Sequence, residues 1–501
     1  KLKPKVFCVS QPKGSGAGGA GHPDFSLYTA SQFRKANLRE PIPEQLPERG
    51  VVEVKPVGDD VHAAAASDRV TRYWERYRLV LVTNYRAFIL VGRDQSGRRI
   101  NLEHFELADV PDAFWALAAS PNRAPEVLSS RFEEFVKRAL LHNATLTNPK
   151  DVAWFLGSYA RDALARVEEN PRLEGLLILR EALEKALGMT FEGPKGDHFY
   201  HSSLVQTLFY GLFSAWVMWC KKTPEKSRRR GFDALSAPWH ERLPVLQVLF
   251  EFIDSPSRLG ALKLVEVVDW AAAALRRVDD EAFFKVFREE HAVQYFYEPF
   301  LKAFDPELRK QLGVWYTPPE VVDYMVERVD AVLRSELGLA DGLAGDNVYV
   351  LDPCAGTGSY IISVLKRIEK TLRKKHGDAL VGEEVKTAAL DRIFGFEILP
   401  APFVVAHMQV GLYLEGLGVP LGKRVRLACE EEELPAIYLT NALTDWEDRQ
   451  GPGPRLPFPE LQQEMERARA VKRQTPILVV LGNPPYNGYA GVAMAEERAL
   501  T

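Results

Sequence analysis

Asn483-Pro484-Pro485-Tyr486 follows the apolar run PILVVLG and joins groups that can act together on a flat polar edge. Two prolines fix the backbone there and leave carbonyls with few amide donors nearby. An Asn amide oxygen and a proline carbonyl can then accept both hydrogens of an exocyclic amino group. The nitrogen lone pair becomes more available for attack, without a strong base. Tyr486 offers an aromatic face on which a planar base can stack. A proline-stiffened turn with an incidental Tyr is the plain alternative. Earlier in the chain, VYVLDPCAGTGSYIISVL runs from an apolar stretch into Asp352-Pro353 and a Gly-x-Gly turn at Gly356 and Gly358. Glycines belong where a strand turns sharply and lets a ligand approach the backbone, and Asp352 can accept from a cationic or hydroxylated ligand. Glu397, closing FGFE, is placed to accept both hydroxyls of a ribose; a solvated carboxylate is its plain reading. Asn441, in YLTNAL, fits an adenine edge and a turn cap equally well. Near the start, Asp24 follows Pro23, and Glu53 and Lys55 share one face of a strand by their period of two. Asp24 and Glu53 can share a divalent cation while Lys55 orients an attacking water.

The elements that must position these groups fall into three regions. Residues 1–120 read as mixed α/β: a Gly-rich loop at 14–21, a strand in GVVEVKPV, a helix in HAAAASDRVTRYWERY and two strands in RLVLVTNYRAFILVG. Residues 121–311 carry long 3.6-period segments such as LEGLLILREALEKAL and predict an all-α connector. Its basic run, Arg228 to Arg230, reads as a solvated loop or a phosphate contact. From residue 312 onward, strands alternate with helices, which implies a parallel sheet covered on both faces. The overall class is α/β. A nicotinamide-binding unit fits poorly, since Ile361 stands in the third glycine's place and Glu397 comes well beyond the expected ~20 positions. No G-x-x-x-x-G-K-[ST] occurs, which excludes a P-loop and a translocating ATPase within this chain.

Charged residues at 26% and hydrophobic ones at 46% exclude wholesale disorder. With 64 Lys+Arg against 68 Asp+Glu the net charge is −4, so any hold on nucleic acid must come from a local basic surface. Cys8, Cys220, Cys354 and Cys429 form no C-x-x-C pair, which suits a reducing, cytoplasmic setting. SLVQTLFYGLFSAWVMWC (203–220) is interrupted by Gln206, Thr207, Gly211 and Ser214 and is expected to be a buried helix, with no membrane partner.

Taken in order, VWYTPPEVVDYMV, DPCAGTG, GFEI, YLTNAL and GNPPY resemble the amino-methylating DNA methyltransferases that use S-adenosylmethionine, in the gamma arrangement. The resemblance spans about residues 313–489 and implies a Rossmann-like sheet for 312–501. It implies that Tyr316, Thr317 and Pro318 contact the methionine end of the cofactor. Asp352, Pro353, Ala355, Gly356, Thr357 and Gly358 would hold its amino acid portion, Glu397 and Ile398 the ribose, and Asn441 or Leu443 the adenine. Asn483, Pro484, Pro485 and Tyr486 would bind a flipped base. Asn at the head of the tetrapeptide suggests N6 of adenine in double-stranded DNA, with RNA or protein amino groups as other acceptors. Cys354, in the cofactor loop and away from NPPY, reads as packing and not as a nucleophile.

The front segment resembles the PD-(D/E)XK nucleases of combined restriction–modification polypeptides of type IIG and type ISP. That implies a Mg2+ site at Asp24 and Glu53, with Lys55 as the third catalytic residue. A Gln often precedes the helix's Arg-Tyr in such proteins; Arg69 stands there instead. A methyltransferase with a DNA-binding but non-cleaving front, and an inactive scaffold acting through the helical region, are the rival readings. The methyltransferase sheet is expected to be incomplete after NPPY, with its last strand an open edge. The recognition of a target sequence is expected from a further C-terminal half or a separate subunit.

Overall fold

The computed structural model describes residues 5–10, 21–34, 37–94, 96–108, 110–120, 122, 124–223, 231–234, 243–255, 258–287, 296–306, 317–378, 380–426, 429–446, 455–484 and 492–494. Tyr316, Pro485, Tyr486, Arg228 to Arg230 and most of the Gly14–Gly21 run lie outside these residues. Two compact units make up the chain. One is built on residues up to Thr147 with Ala273–Asp279 returning to it; the other is built mainly on residues from Asn148 onward.

The first unit is a six-stranded sheet of β1 (Val6–Ser10), β2 (Phe25–Thr29), β3 (Val51–Val54), β4 (Val80–Thr83), β5 (Ala87–Arg93) and β6 (Arg99–Glu106), in that spatial order. Only β3 and β4 run parallel. A parallel pair needs a crossover, supplied here by α1 (Val61–Ala66) and α2 (Asp68–Tyr77). The single helix expected over this stretch is two, because Ser67 ends α1 and its side chain caps α2 through the Val70 N–H. Alternation sends Val80 and Val82 to the face covered by Val61, Val70 and Tyr73, and Leu79 and Leu81 to the other. There α3 (Ala124–Leu140) packs Phe135 against Phe88 and Phe105. A buried pair, Arg138 Nε to Glu103 Oε2 at 3.0 Å, ties α3 to β6.

The second unit joins helices to a parallel sheet. Its helices begin with α4 (Pro149–Glu169), α5 (Glu174–Leu187), α6 (Gly193–Lys222), α7 (Glu298–Phe304) and α8 (Pro319–Ser335). The sheet-bearing half then alternates β7 (Val350–Asp352), α9 (Ser359–His376), α10 (Val381–Asp391), β8 (Ile393–Glu397), α11 (Pro400–Gly416), β9 (Ile437–Leu439), α12 (Pro459–Gln474) and β10 (Val479–Val480). Spatial order is β9-β8-β7-β10, all parallel. Val350, Leu351, Phe394, Phe396, Ile437 and Leu439 are buried, as strands covered on both faces require. Among the described residues β10 pairs with β7 alone, and Val480 is exposed.

These two units differ from the three regions expected at 1–120, 121–311 and 312–501. The reason is burial. α3 is needed by the first sheet, and α6 is apolar on every side, so it must be covered all round. It packs on α4 and on α11 of the sheet layer, which makes the helical region and the sheet one body. The connector also contains a strand, Met189–Phe191, paired with Val492–Met494. Among the described residues α6 is the one helix long and apolar enough to cross a membrane, and its apolar window is 89% buried in the protein. Two of its polar residues are satisfied internally, Thr207 Oγ1 donating to Ser203 O at 2.6 Å and Ser202 Oγ to Asp305 Oδ2 at 2.8 Å, whereas the buried Ser214 Oγ has no partner among the described residues. His198, on the first turns of α6, lies between Glu168 of α4 (Nδ1–Oε1 2.6 Å) and Asp305, just past α7 (Nε2–Oδ2 3.0 Å). Its hydrogen bond to Asp305, then that to Glu168, pushes the imidazole pKa up to about 10.

Candidate functional site

In the second unit the candidate groups gather at the carboxyl ends of the four strands. The order β9-β8-β7-β10 reverses direction beside β7, and the crevice outside such a switch point is where open α/β sheets bind ligands. β7 delivers Asp352, which is buried. Its Oδ1 accepts from the Cys354 N–H at 3.1 Å, while the buried Oδ2 has no partner. Burial, opposed by that amide and reinforced by the Glu397 charge, lifts the Asp352 carboxyl to about 7. Gly356 (φ 54°) and Gly358 (φ 87°) are left-handed, as the sharp entry into α9 demands. A Cβ at Gly358 would press on Ala406, whereas one at Gly356 would meet only Cys354 O at 3.9 Å. The backbone at Gly356 is therefore open to a close-lying ligand.

Glu397, at the end of β8, is also buried. Its Oε2 accepts from Gly356 N at 2.7 Å, and its Oε1 from Ile398 N at 2.9 Å and Leu399 N at 2.8 Å. Burial raises its pKa to about 6 against the pull of those amides. Three of a carboxylate's roughly four acceptor positions are thus taken by the chain itself. The side chain thereby locks the glycine turn to the head of α11. Asn441 acts as a turn cap, its Oδ1 accepting from Leu443 N at 3.0 Å, and Leu443 is exposed.

Asn483 follows β10. Its Nδ2 donates to Thr317 Oγ1 at 2.9 Å, which leaves Oδ1 as the acceptor and joins the Tyr-Thr-Pro segment to the tetrapeptide. Pro484 is exposed beside it, and Pro318 leads into α8. Gly482, just before Asn483, lies on Asp352: a Cβ there would stand 2.4 Å from Asp352 Oδ1 and 3.2 Å from Pro353 Cδ. Asp352, Gly356, Gly358 and Glu397 therefore form one cluster with Gly482 and Asn483 beside it, with Pro353, Ala355, Thr357 and Ile398 as its connecting backbone.

Sequence reasoning missed the support beneath this floor. Lys472 of α12 is buried and donates to Thr440 Oγ1 at 2.9 Å and Asn441 O at 2.7 Å, with its Nζ 5.1 Å from the Phe396 ring centre. Glu464 of the same helix accepts from Leu439 N at 3.0 Å, and burial lifts its pKa to about 7. Gly482 was legible as a motif letter only, with no signal for the carboxylate it must clear.

The first unit brings Asp24, Glu53 and Lys55 together. Asp24 Oδ2 accepts from Val54 N at 2.7 Å, between the other two residues. Glu53 is 1% exposed; its Oε1 receives Lys55 Nζ at 2.8 Å and Arg69 Nε at 3.2 Å, while its buried Oε2 has no partner. An orphaned buried carboxylate oxygen beside a second carboxylate suits a hard divalent cation. Among the described residues no group of three or more His, Cys, Asp or Glu forms a metal-ligating cluster.

Residues 288–413 match the family model described as N-6 DNA Methylase, and that stretch carries the glycine turn and Glu397. A Methanocaldococcus jannaschii protein, provisionally named as the type II restriction enzyme and methyltransferase RM.MjaORFECS2P, is 23% identical over 297 residues, covering 50% of this chain and 24% of that protein. Among solved structures, the DrdV–DNA complex is 19% identical at a TM-score of 0.45, covering 96% of this chain and 40% of that one. The ATP-dependent Type ISP restriction-modification enzyme LlaBIII bound to DNA is 18% identical at a TM-score of 0.43, covering 68% of this chain and 20% of that one. The chain spans about a quarter of the curated relative's length.

Proposed function

We propose that the chain carries two active centres of a restriction–modification enzyme. One transfers a methyl group from S-adenosylmethionine to N6 of adenine in double-stranded DNA, and the other is a Mg2+-dependent nuclease. The observation that carries the first assignment is Asn483, held by Thr317 with its amide oxygen free, beside the buried Asp352 and the open glycine turn.

S-adenosylmethionine, when bound, supplies a methyl group on a positively charged sulfur. The residues fit such a group: Asp352 Oδ2 is an orphaned acceptor for a cationic amino end, and the backbone at Gly356 leaves room for it. Asn483 Oδ1 and the Pro484 carbonyl accept the two hydrogens of the adenine amino group. Both contacts orient the nitrogen lone pair toward the cofactor side and favour the positive charge that develops on nitrogen as it attacks. Tyr486 supplies the stacking face for a base taken out of the helix. In the front unit, Asp24 and Glu53 would hold Mg2+, which polarises a phosphodiester and activates water, and Lys55 faces the same carboxylate.

Transfer of labelled methyl from S-adenosylmethionine to unmodified DNA tests the first centre. Asn483→Ala is expected to lower transfer about a thousandfold or more while cofactor affinity stays within about twofold. Near-normal turnover in that variant removes the assignment. For the second centre, Mg2+-dependent nicking that disappears in Glu53→Ala is expected, and its absence in the unaltered protein removes the nuclease.

A further inference from the structure

We propose that Arg69 is a resident cation of the front site that sets how tightly Asp24 and Glu53 hold a divalent metal ion; this rests on the reading of that site as metal-binding. Lys55 and Arg69 both converge on Glu53 Oε1 and leave Oε2 to whatever else enters. With Asp24, the site holds two carboxylates and two cationic side chains, so it is close to neutral before any metal arrives.

Arg69 is not a free surface arginine. Its Nε, in ion-pair contact with Glu53, donates its one hydrogen to Tyr73 Oη at 3.1 Å, one turn further along α2, and its guanidinium lies 5.7 Å from the Tyr73 ring centre. Arg69 Nη2 donates to His22 O at 3.3 Å, and Tyr73 Oη donates to the same carbonyl at 2.7 Å. His22 lies two residues before Asp24. Arg69 and Tyr73 therefore hold the segment that delivers the second carboxylate, and the guanidinium stays where a metal ion must meet its charge.

A fixed positive charge on the same carboxylate repels an incoming divalent ion. At the half-exposed position of Arg69 this corresponds to an affinity about tenfold weaker than the two carboxylates and Lys55 would give alone. The fixed charge also stands where a phosphodiester would approach, so part of what a second metal ion does elsewhere is built into the protein.

Calorimetric titration of Mn2+ into the whole chain without DNA tests this, with thermal melting to verify folding of each variant. Arg69→Gln is expected to tighten Glu53-dependent binding about tenfold, Arg69→Lys to match the unaltered protein, and Glu53→Gln to abolish it. Unchanged or weaker affinity in Arg69→Gln, with binding still lost in Glu53→Gln, overturns the role of Arg69 and leaves the metal site standing. Absence of Glu53-dependent binding in every protein, Arg69→Gln included, overturns the metal site and this proposal with it.

Discussion

Asp352 and Glu397 are carboxyl groups kept from water at one end of a sheet, and burial raises the pKa of both. The Asp352 carboxyl is lifted to about 7 by burial, so the folded protein keeps that proton longer than the unfolded chain does. Its contribution to stability is therefore lost as pH rises from the ordinary carboxylate range through about 7. Affinity for a cationic ligand runs the opposite way, because only the ionised form attracts it. S-adenosylmethionine binding should strengthen between pH 6 and pH 8, and Asp352→Asn should flatten that profile and weaken binding at pH 8. Calorimetry across this range checks both, and an unchanged slope in the variant removes Asp352 from the site. Asp352 was readable in advance because strand, turn and helix are contiguous and the chemistry is local. Glu397 was half readable: its position at a strand end followed from the alternation, but the amides that occupy it did not.

Elements are held by polar contacts that periodicity does not display. α6 reads as an apolar rod, yet His198 joins it to α4 and to the end of α7 through two carboxylates. The imidazole pKa is raised to about 10, so this clamp is fully present below about pH 6.5 and is lost as pH rises through 10. His198→Gln should cost about 1–2 kcal/mol near pH 6.5, discounted for the partial exposure of the ring. The difference in melting temperature from the unaltered protein should narrow as pH approaches 10; a constant difference points to packing alone. α12 makes the complementary point. Its composition is strongly charged, yet Glu464 and Lys472 both turn inward to the strand end beneath it.

At the scale of the molecule, each unit has its own sheet and its own candidate site. Residues of one centre should then be silent in the other: Glu53→Ala should leave methyl transfer within about twofold, and Asn483→Ala should leave Mn2+ affinity unchanged. Paired assays on both variants check this, and a large cross-effect would show that the centres are coupled. In the second sheet the alternation of strands and helices was legible from periodicity and glycine punctuation; in the first only β3, β4 and β5 were, while β1, β2 and β6 gave no signal that was read. The partition into units was not, because an all-apolar helix announces that it must be covered and not which neighbour covers it.

The closeness of Gly482 to Asp352 also bears on how this chain can be remodelled. Loops at the mouth of an open sheet are attractive cassettes for exchange, and a graft beginning at Asn483 would seem self-contained. It is not, since even a methyl group at the preceding position collides with the carboxylate opposite. A transplanted loop must bring its own glycine. A larger residue there is accommodated only if the Asp352 carboxylate moves or a smaller side chain replaces it, so the two sides of the crevice must be redesigned together.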